Sequence, residues 1–274
     1  SVYFDGAGDT FDIPDATVLK PQNITVSMWL NGGTQAGNYR YLLAKYYTGS
    51  GAAYGFYTGA TTNKIAFTLR KGNDTGWATT GLSTVMDDTW HHIVGTFDGT
   101  TVSLYVDGAL TSGVASGSTG ITYGSGDLTI GAFQASSLEY VGDQSNVAIW
   151  DSALNADDIL NLYNNGVPQD LSNFRIQPVA WYPMDQSYTY FNGSVLVARD
   201  VISGNDGTGA NVVQENIVGN APGSEANGTG TNLTIVDLKG DMKNSINNSY
   251  SINMADYADG VTNPANSGRS TNVP

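Results

Sequence analysis

The sequence predicts an all-β protein whose strands pair antiparallel, with one short helix late in the chain. Its 274 residues include 34 Gly and 16 Tyr, a composition typical of short strands joined by polar turns. Residues 90–97 and 101–106 predict two strands on either side of Asp98 and Gly99, a pair typical of a hairpin turn. Residues 24–30 carry an apolar side chain at every second position, which predicts a strand with one face in the core.

The remaining strands are predicted from runs of apolar and aromatic residues that are bounded by Gly, Pro, Asn and Asp. A strand and a turn open the chain at residues 2–6, and Pro14 limits the pairing of the edge strand that follows. Further strands are predicted at residues 11–14, 41–47, 53–57, 64–70, 128–133 and around 147–149.

A short helix is predicted after residue 155. Asn155 is a suitable N-cap, and Asp157 and Asp158 suit the positive N-terminal end of a helix. Gly166 is expected at the C′ position, where a left-handed conformation ends many helices. The apolar stripe of this helix consists of Ile159, Leu162 and Tyr163.

The charge balance excludes several classes of partner. The chain has 25 Asp and Glu but only 11 Lys and Arg, for a net charge of −14. Because binding to phosphates needs clustered cations, we expect no nucleic-acid partner. The absence of Cys excludes disulfides and thiolate metal sites. No stretch reaches transmembrane length and no signal-peptide pattern opens the chain, so no membrane partner is expected.

Several motifs occur together in the first part of the chain. They are the Phe-Asp-Gly at residues 4–6, the Trp-His-His at 90–92, the Leu-Tyr-Val-Asp-Gly at 104–108, and the Trp-Asp at 150–151 that precedes the helix. This order resembles the laminin-G-like and pentraxin-like domains of the concanavalin A-like lectin class. The resemblance covers roughly residues 1–166. It implies that residues 1–167 form an antiparallel two-sheet jelly-roll sandwich, which is the first predicted domain.

The second predicted region, residues 168–274, is an extended, irregular arm of strands and loops that serves in docking or oligomerisation. Val167 and Pro168 mark its start, and residues 178–185 predict one strand. Residues 200–208 resemble the Asp-x-Ser-Gly-Asn-x-x-Gly-Thr segment that normally precedes the Phe-Asp-Gly strand in such domains. Residues 192–249 contain no aromatic residue, so they bury little apolar surface on their own. The residues expected to anchor the arm or to form the oligomer are Trp181, Tyr182, Tyr250 and Tyr257.

Catalysis is not expected. Glycoside hydrolysis needs two carboxylates that flank the bond, and jelly-roll glucanases carry them as a Glu-x-Asp-x-Glu motif on one strand. The three Glu of this chain stand apart, at residues 139, 215 and 225. The two His, His91 and His92, are neighbours on a predicted strand and so point to opposite faces. We interpret both as structural.

A calcium ion is the one cofactor that the resemblance brings into question. Pentraxin-like lectins carry an acidic run after the strand that here ends in Ala132, Phe133 and Gln134, so their double calcium site is expected to be lost. Calcium takes six to eight oxygen ligands. The remaining candidate ligands are loop carboxylates, namely Asp5, Asp9 and Asp143.

Sugar binding is the activity that this fold and these loops favour. Sugars present apolar C–H patches to aromatic faces, and the candidate residues are Tyr47, Tyr54, Tyr57 and Trp77, with Tyr46 as a further candidate beside Tyr47. The alternative is that these side chains pack in the sandwich or at a contact between subunits.

The layout of a lectin-like head followed by an Asn-rich tail resembles lectin-domain virion proteins of tailed phages of aquatic bacteria. The resemblance implies a non-enzymatic virion protein of the capsid-decoration or fibre type, on the exterior of the particle. Its partners would be other copies of itself, the major capsid protein or other virion proteins, and host-surface glycans. The alternative is a secreted or cell-surface bacterial lectin or adhesin, which would be extracellular.

Overall fold

The structure, a computed structural model, describes residues 1–222 except for 38, 50, 60–62 and 135–136. The compact unit Ser1–Pro222 contains all of them. The predicted anchor residues Tyr250 and Tyr257 belong to residues 223–274 and lie outside the described residues. The docking role of this tail stays a prediction.

The strands of the described residues are short, and most are joined by polar turns. In chain order they are β1 (Val2–Phe4), β2 (Thr10–Ile13), β3 (Ile24–Asn31), β4 (Tyr41–Thr48), β5 (Gly51–Thr58), β6 (Lys64–Arg70), β7 (Trp77–Thr79), β8 (Ser83–Thr84), β9 (Trp90–Phe97), β10 (Thr101–Val106), β11 (Ala109–Ala115), β12 (Leu128–Ile130), β13 (Gly142–Trp150), β14 (Ala180–Tyr182), β15 (Thr189–Phe191), β16 (Leu196–Ala198) and β17 (Gly207–Ala210). A single α-helix among these residues, α1 (Ala156–Tyr163), follows β13.

These strands form two sheets. The first sheet has the order β1-β13-β3-β9-β10-β11, with β14 also paired to β13. The second has the order β15-β16-β17-β2-β12-β4-β5-β6-β7, with β8 also paired to β6. The strand pairs are antiparallel throughout. The predicted all-β sandwich with one short helix is thereby confirmed.

The core lies between the two sheets, where Phe67 on β6 meets Gly95 on β9. A Cβ atom at Gly95 would lie only 2.3 Å from Cγ of Phe67, so glycine leaves the space that this ring fills. Phe67 also packs against Phe56, with 4.9 Å between ring centroids, and both rings are fully buried. Full burial of one such side chain contributes about 1.5–3 kcal/mol.

The helix α1 begins as predicted but ends before the predicted position. The side chain of Asn155 accepts a hydrogen bond from the backbone N–H of Asp158 at 2.9 Å, as expected of an N-cap. At the other end Asn164 adopts the left-handed conformation, with φ of 47°, and its N–H donates to the carbonyl of Leu160. Gly166 lies beyond this, in the 3₁₀ turn that follows. No helix in the described part of the chain has the length and apolar character to cross a bilayer.

Residues 180–210, which follow the predicted boundary at residue 167, complete both sheets of the head. In the first sheet β14 pairs with β13, and in the second β17 pairs with β2. The segment then returns to the start of the chain, where the N–H of Val218 donates to the carbonyl of Ser1 at 3.0 Å. The compact unit therefore extends past residue 167 and reaches Pro222.

Trp181 and Tyr182, the two described residues of the predicted anchor set, are core residues of their own chain. Their side chains are 5% and 0% exposed. The indole N–H of Trp181 donates to the Asn146 side chain at 3.3 Å, and the Tyr182 hydroxyl donates to the Asn205 carbonyl at 2.9 Å. These two side chains attach the segment to its own head and are not exposed to a second copy.

Candidate binding groove on the second sheet

A row of mostly small side chains crosses the outer face of the second sheet. In strand order the row consists of Asp12, Thr129, Ala44, Gly55, Thr68 and Thr79. Their chain neighbours Leu128, Tyr54 and Leu69 point the other way, into the core, because side chains alternate along a strand. With neighbouring strands about 4.8 Å apart, the row is about 24 Å long.

Larger side chains flank this row on both sides and turn it into a groove. The strand register places Tyr41 beside Tyr57 on one side of the row. It places Arg70 beside Trp77 on the other side. The groove therefore has a floor of mostly small residues between aromatic walls.

One end of the groove holds a cavity of about 460 Å³, here named the aromatic chamber. Its lining residues are Tyr39, Tyr41, Gly51, Tyr57, Thr68, Trp77 and Thr79. The ring of Tyr57 packs against two other tyrosines of the lining, with its centroid 5.7 Å from that of Tyr39 and 5.5 Å from that of Tyr41. Trp77 is 45% exposed and Tyr39 is 50% exposed, so a solute can reach both rings.

The ring of Trp77 is held in place although nearly half of it is exposed. Its indole N–H donates to the carbonyl of Ala52 at 2.9 Å. The guanidinium of Arg70 lies 4.3 Å from the ring centroid and is itself fixed by Asp74 at 2.6 Å. Gly51 lies so close that a Cβ atom there would be 2.4 Å from Cζ2 of the ring. This surface is therefore preorganised.

The hydroxyls of Tyr41 and Tyr57 in the aromatic chamber stay protonated near neutral pH. Burial, with smaller contributions from Tyr57 and Tyr39, raises the pKa of Tyr41 to about 12. Burial also raises the pKa of Tyr57, against the effect of a hydrogen bond with Thr79. A protonated phenol both donates and accepts hydrogen bonds. These phenols can therefore either donate a hydrogen bond to a ligand hydroxyl or accept one from it.

A second cavity, of about 550 Å³, lies over the other end of the groove and is here named the polar chamber. Its lining residues are Asp12, Tyr46, Ser125, Gly126, Asp127, Thr129, Gln134 and Ser137. The Thr129 hydroxyl donates to the Asp12 carboxylate at 2.8 Å. Burial raises the pKa of Asp12, the hydrogen bonds from Thr129 and Thr10 act to lower it, and the charge of Asp127 adds to the rise.

Phe133 packs on the outer face of the sheet between the two chambers. Its ring is 4% exposed and packs against Ala44 and Ala52. Its centroid is 5.0 Å from that of Tyr41 and 5.8 Å from that of Tyr46. Tyr41 lines the aromatic chamber and Tyr46 lines the polar one, so this aromatic cluster forms the wall between them.

Residues 5–160 match the family model of the concanavalin A-like lectin/glucanases superfamily. The chain belongs to this superfamily. A protein from Bacteroides ovatus described as carbohydrate-binding has a similar structure, with 15% identity over 75% of this chain and 56% of that one, and a TM-score of 0.57. This chain thus spans little more than half of that structure. The likeness establishes a shared fold.

Two further solved structures align with this concanavalin A-like domain. The heptameric SAP-like pentraxin from Limulus polyphemus is 14% identical over 72% of this chain and 94% of that one, with a TM-score of 0.44. The Trypanosoma rangeli sialidase is 18% identical over 59% of this chain and 27% of that one, with a TM-score of 0.43. No curated protein matches the chain.

The structure of the concanavalin A-like domain brings together two of the four predicted sugar-binding residues. Tyr57 and Trp77 both line the aromatic chamber. Tyr47 lies beside it, where its hydroxyl donates to Asp74 at 3.0 Å and its ring centroid is 5.2 Å from the Arg70 guanidinium. Tyr47 therefore supports the arginine that covers Trp77.

Tyr54 was the wrong choice among these four residues. It is 0% exposed, and its hydroxyl donates to the carbonyl of Leu19 at 3.2 Å inside the core. The physical reason is strand alternation, since Tyr54 and Tyr57 are three positions apart on β5 and so face opposite sides. Burial raises the pKa of this phenol far above its usual value.

The three predicted calcium ligands do not form one cluster in the described part of the chain. The described residues contain no group of three or more His, Asp or Glu that is able to hold a metal ion. Asp9 accepts hydrogen bonds from the N–H of Asp5 at 3.1 Å and from the Asn216 side chain at 3.0 Å. Asp143 accepts from Asn220 at 2.7 Å. Asp9 and Asp143 thus hold the segment that returns to the start of the chain.

The two histidines point to opposite sides of β9 and have separate structural roles. His91 lies between Asp107 at 2.7 Å and Asp87 at 3.2 Å, and the hydrogen bond to Asp107 raises its pKa. His92 is 1% exposed and shares a hydrogen bond of 2.8 Å with the Ser27 hydroxyl. Burial lowers the pKa of His92 to about 3, so this ring is neutral near pH 7.

Sequence reasoning missed Tyr39, Tyr41 and every lining residue of the polar chamber except Tyr46. One signal was present, because six Tyr stand between residues 39 and 57. The pairing of Tyr41 with Tyr57 depends on irregularities in the β4–β5 ladder, and no periodicity predicts these. Asp12 and Phe133 are distant in sequence from one another and meet the groove only through tertiary structure.

Proposed function

We propose that this domain is a non-enzymatic carbohydrate-binding module that holds a glycan in the groove on the outer face of its second sheet. The observation that carries the proposal is the aromatic chamber. It combines the accessible rings of Trp77 and Tyr57 with the hydroxyls of Thr68 and Thr79. A pyranose has apolar C–H faces and an equatorial rim of hydroxyls, so it needs both kinds of contact. Ligand pockets commonly pair apolar walls with a few polar groups that fix orientation.

Preorganisation supports the same proposal. The Ala52 carbonyl and the Arg70 guanidinium hold the Trp77 ring before any ligand arrives. A ring that is already ordered loses little conformational entropy when it binds, which favours affinity. An exposed ring that is braced on one side and open on the other is suited to stacking on a sugar face.

Binding without turnover is part of the proposal. The described residues that line the aromatic chamber include no carboxylate, and glycoside hydrolysis needs two of them beside the scissile bond. The polar chamber does contain Asp12 and Asp127, and burial raises the pKa of Asp12. Hydrolysis is therefore the second candidate function. Release of reducing ends from a bound glycan, with loss of that release in Asp12→Asn, would establish hydrolysis in place of binding alone.

The test of binding compares Trp77→Ala with the control Phe191→Ala, measured by calorimetry with glycans selected on an array. Phe191 is an exposed aromatic side chain on β15, 61% exposed, and does not line the aromatic chamber. We expect Trp77→Ala to weaken binding at least about tenfold, a change of about 1.4 kcal/mol. The control should bind as the parent protein does. Absence of any glycan ligand for the folded protein, or equal binding by Trp77→Ala, would contradict the proposal.

For the biological setting, we propose an exterior virion protein of a tailed phage, of the capsid-decoration or fibre type. The support is the layout, with a lectin-like head followed by the Asn-rich residues 223–274. Its proposed partners are other copies, capsid proteins and host glycans. The second candidate setting is a secreted or cell-surface bacterial lectin, with which the fold is equally consistent. Light scattering and co-sedimentation with capsids distinguish the virion protein from the bacterial lectin. A monomer that does not co-sediment with capsids would favour the lectin.

A further inference from the structure

The floors of the polar chamber and the aromatic chamber belong to one row of residues, which Phe133 covers at Ala44. Thr129, Ala44 and Gly55 are neighbours across three adjacent strands, and Thr68 follows in the same row. Thr129 lines the polar chamber and Thr68 lines the aromatic one. At about 4.8 Å for each of the three strand steps, these two residues are about 14 Å apart. A single sugar ring is shorter than this distance, whereas an oligosaccharide covers it.

The lining of the polar chamber suits ring hydroxyls. Tyr46 supplies one aromatic face, and Thr129, Ser137 and Gln134 supply hydroxyl and amide groups that both donate and accept. When ionised, the carboxylates of Asp12 and Asp127 act only as hydrogen-bond acceptors. Both chambers thus combine aromatic rings with hydrogen-bonding groups, and the polar chamber has the larger share of polar groups.

The polar chamber carries a net negative charge, because Asp12, Asp127 and the nearby Asp15 outnumber the two lysines beside them. The described residues that line it include no Lys, Arg or His. The two lysines near it, Lys45 and Lys20, both pair with Asp15, at 2.6 Å and 2.5 Å. Lys45 also donates to the carbonyl of Gly126 from beneath, and its side chain is fully buried. A ligand carboxylate placed there would meet Asp12 and Asp127, and like charges brought together at a binding surface are unfavourable.

We propose that the polar chamber is a second subsite of the same groove, which rests on the glycan-binding function proposed above. It takes the further sugar residues of an uncharged oligosaccharide whose first residues occupy the aromatic chamber. It rejects oligosaccharides that carry uronic or sialic acids at those positions. Because the Phe133 cluster separates the chambers, a ligand that fills both must cross that ring.

The experiment measures binding of the full chain to neutral oligosaccharides of increasing length, and to the same oligosaccharides oxidised at C6 to uronates. We expect affinity to rise about tenfold once the ligand is long enough to reach the polar chamber. The oxidised long ligand should bind at least about tenfold more weakly than its neutral parent. In Asp12→Asn/Asp127→Asn this difference should shrink to about threefold or less, with the short neutral ligand unaffected.

Two further variants keep the outcome interpretable. Asp127→Asn alone changes an exposed side chain and keeps an oxygen to accept the N–H of Asp15, which now lies at 3.0 Å, so its fold is expected to be intact. It should recover part of the binding of the oxidised ligand. Asp151→Asn, an exposed control on the first sheet's side of the molecule after β13, should leave every affinity unchanged.

Equal affinity for short and long ligands, equal binding of neutral and oxidised ligands, or a charge preference that survives in both Asp variants would overturn the second subsite. Those results would leave the aromatic chamber standing, provided that the short ligand binds and that Trp77→Ala weakens it. Absence of binding by every glycan would instead overturn the proposed function itself.

Discussion

Gly51 and Gly95 each lie against an aromatic ring, one at the surface and one in the core. A Cβ atom at Gly51 would lie 2.4 Å from Trp77, and one at Gly95 would lie 2.3 Å from Phe67. Both clashes are too short to persist, so in each case the ring or the strand must move. What differs is the freedom of the ring, since Trp77 is 45% exposed and Phe67 is 0% exposed. We therefore expect similar substitutions to have different consequences.

In Gly51→Ala the Trp77 ring can swing toward solvent. It would give up its hydrogen bond to Ala52, worth about 1 kcal/mol, and its contact with the Arg70 guanidinium, worth about 0.5–1 kcal/mol at an exposed site. The free energy of unfolding should thus fall by no more than about 2 kcal/mol, which lowers Tm by no more than about 6 °C in a domain of this size. Glycan affinity should fall about tenfold, because the preorganised ring is lost.

In Gly95→Ala the Phe67 ring cannot move away from the new methyl group, because it is fully buried. Phe67 packs against Phe56 between the sheets, so the two sheets must separate locally. Overpacking of a core commonly costs 1–3 kcal/mol, and the upper end, about 3 kcal/mol, is expected here. That corresponds to a decrease in Tm of about 9 °C. Glycan affinity at a temperature where the protein is folded should change little.

Gly113→Ala is the matched control, because Gly113 also lies in a strand but its nearest side-chain atom would be 3.6 Å from the new Cβ. Its stability should equal or slightly exceed that of the parent, since alanine loses less backbone entropy than glycine. The assays are thermal unfolding followed by circular dichroism, and calorimetric titration with the glycan. The reasoning is refuted if Gly51→Ala binds as tightly as the parent, or if Gly95→Ala is no less stable than Gly51→Ala.

Two further predictions concern stability. The pKa of His92 falls from 6.5 to about 3 in the folded protein, so between these pH values the unfolded chain binds a proton that the folded chain does not bind. The free energy of unfolding should therefore decrease as the pH drops from about 6.5 toward 3. This one group contributes up to about 1.4 kcal/mol per pH unit. Urea unfolding across this range should show that slope, and His92→Phe should lack it, whereas an equal slope in both proteins would assign it to other groups. A chain that ends at residue 222 should unfold in one cooperative transition, whereas one that ends at residue 167 loses β14–β17 with the buried Tyr182 and Leu196 and should fail to fold. Scanning calorimetry of both fragments checks this, and a stable fragment 1–167 would show that the later strands are dispensable.

Local sequence signals were sufficient for the elements that depend on near neighbours. The N-cap Asn155 was predicted because its side-chain oxygen accepts from a backbone N–H only three residues further along the chain. The hairpin of β9 and β10 was predicted because Asp98 and Gly99 suit a turn whatever the rest of the chain does. The end of α1 was missed by two residues, since Asn164 adopts the left-handed conformation that was expected of Gly166, and Asn is among the few other residues that can do so.

The choice between Tyr54 and Tyr57 was within reach of the sequence. Side chains three apart on a strand face opposite sides, so at most one of the two belongs on the groove. Which one faces outward depended on the other sheet, because the first sheet covers the side on which Tyr54 lies. The sequence showed that Tyr54 and Tyr57 face opposite sides of the strand. It did not show which of these sides is covered by the first sheet.

By itself the sequence predicted strands from alternation and turn residues, and its motifs resembled those of the superfamily, which implied the antiparallel sandwich. The absence of Cys excluded a thiolate site. Only the tertiary structure decided that residues 180–210 complete both sheets, and that Asp12, Phe133 and Trp77 share one groove. These residues meet through strand pairings between distant segments, and the register of such pairings is set by the packing of the whole sandwich. The groove is a property of that register, so no window of the sequence contains it.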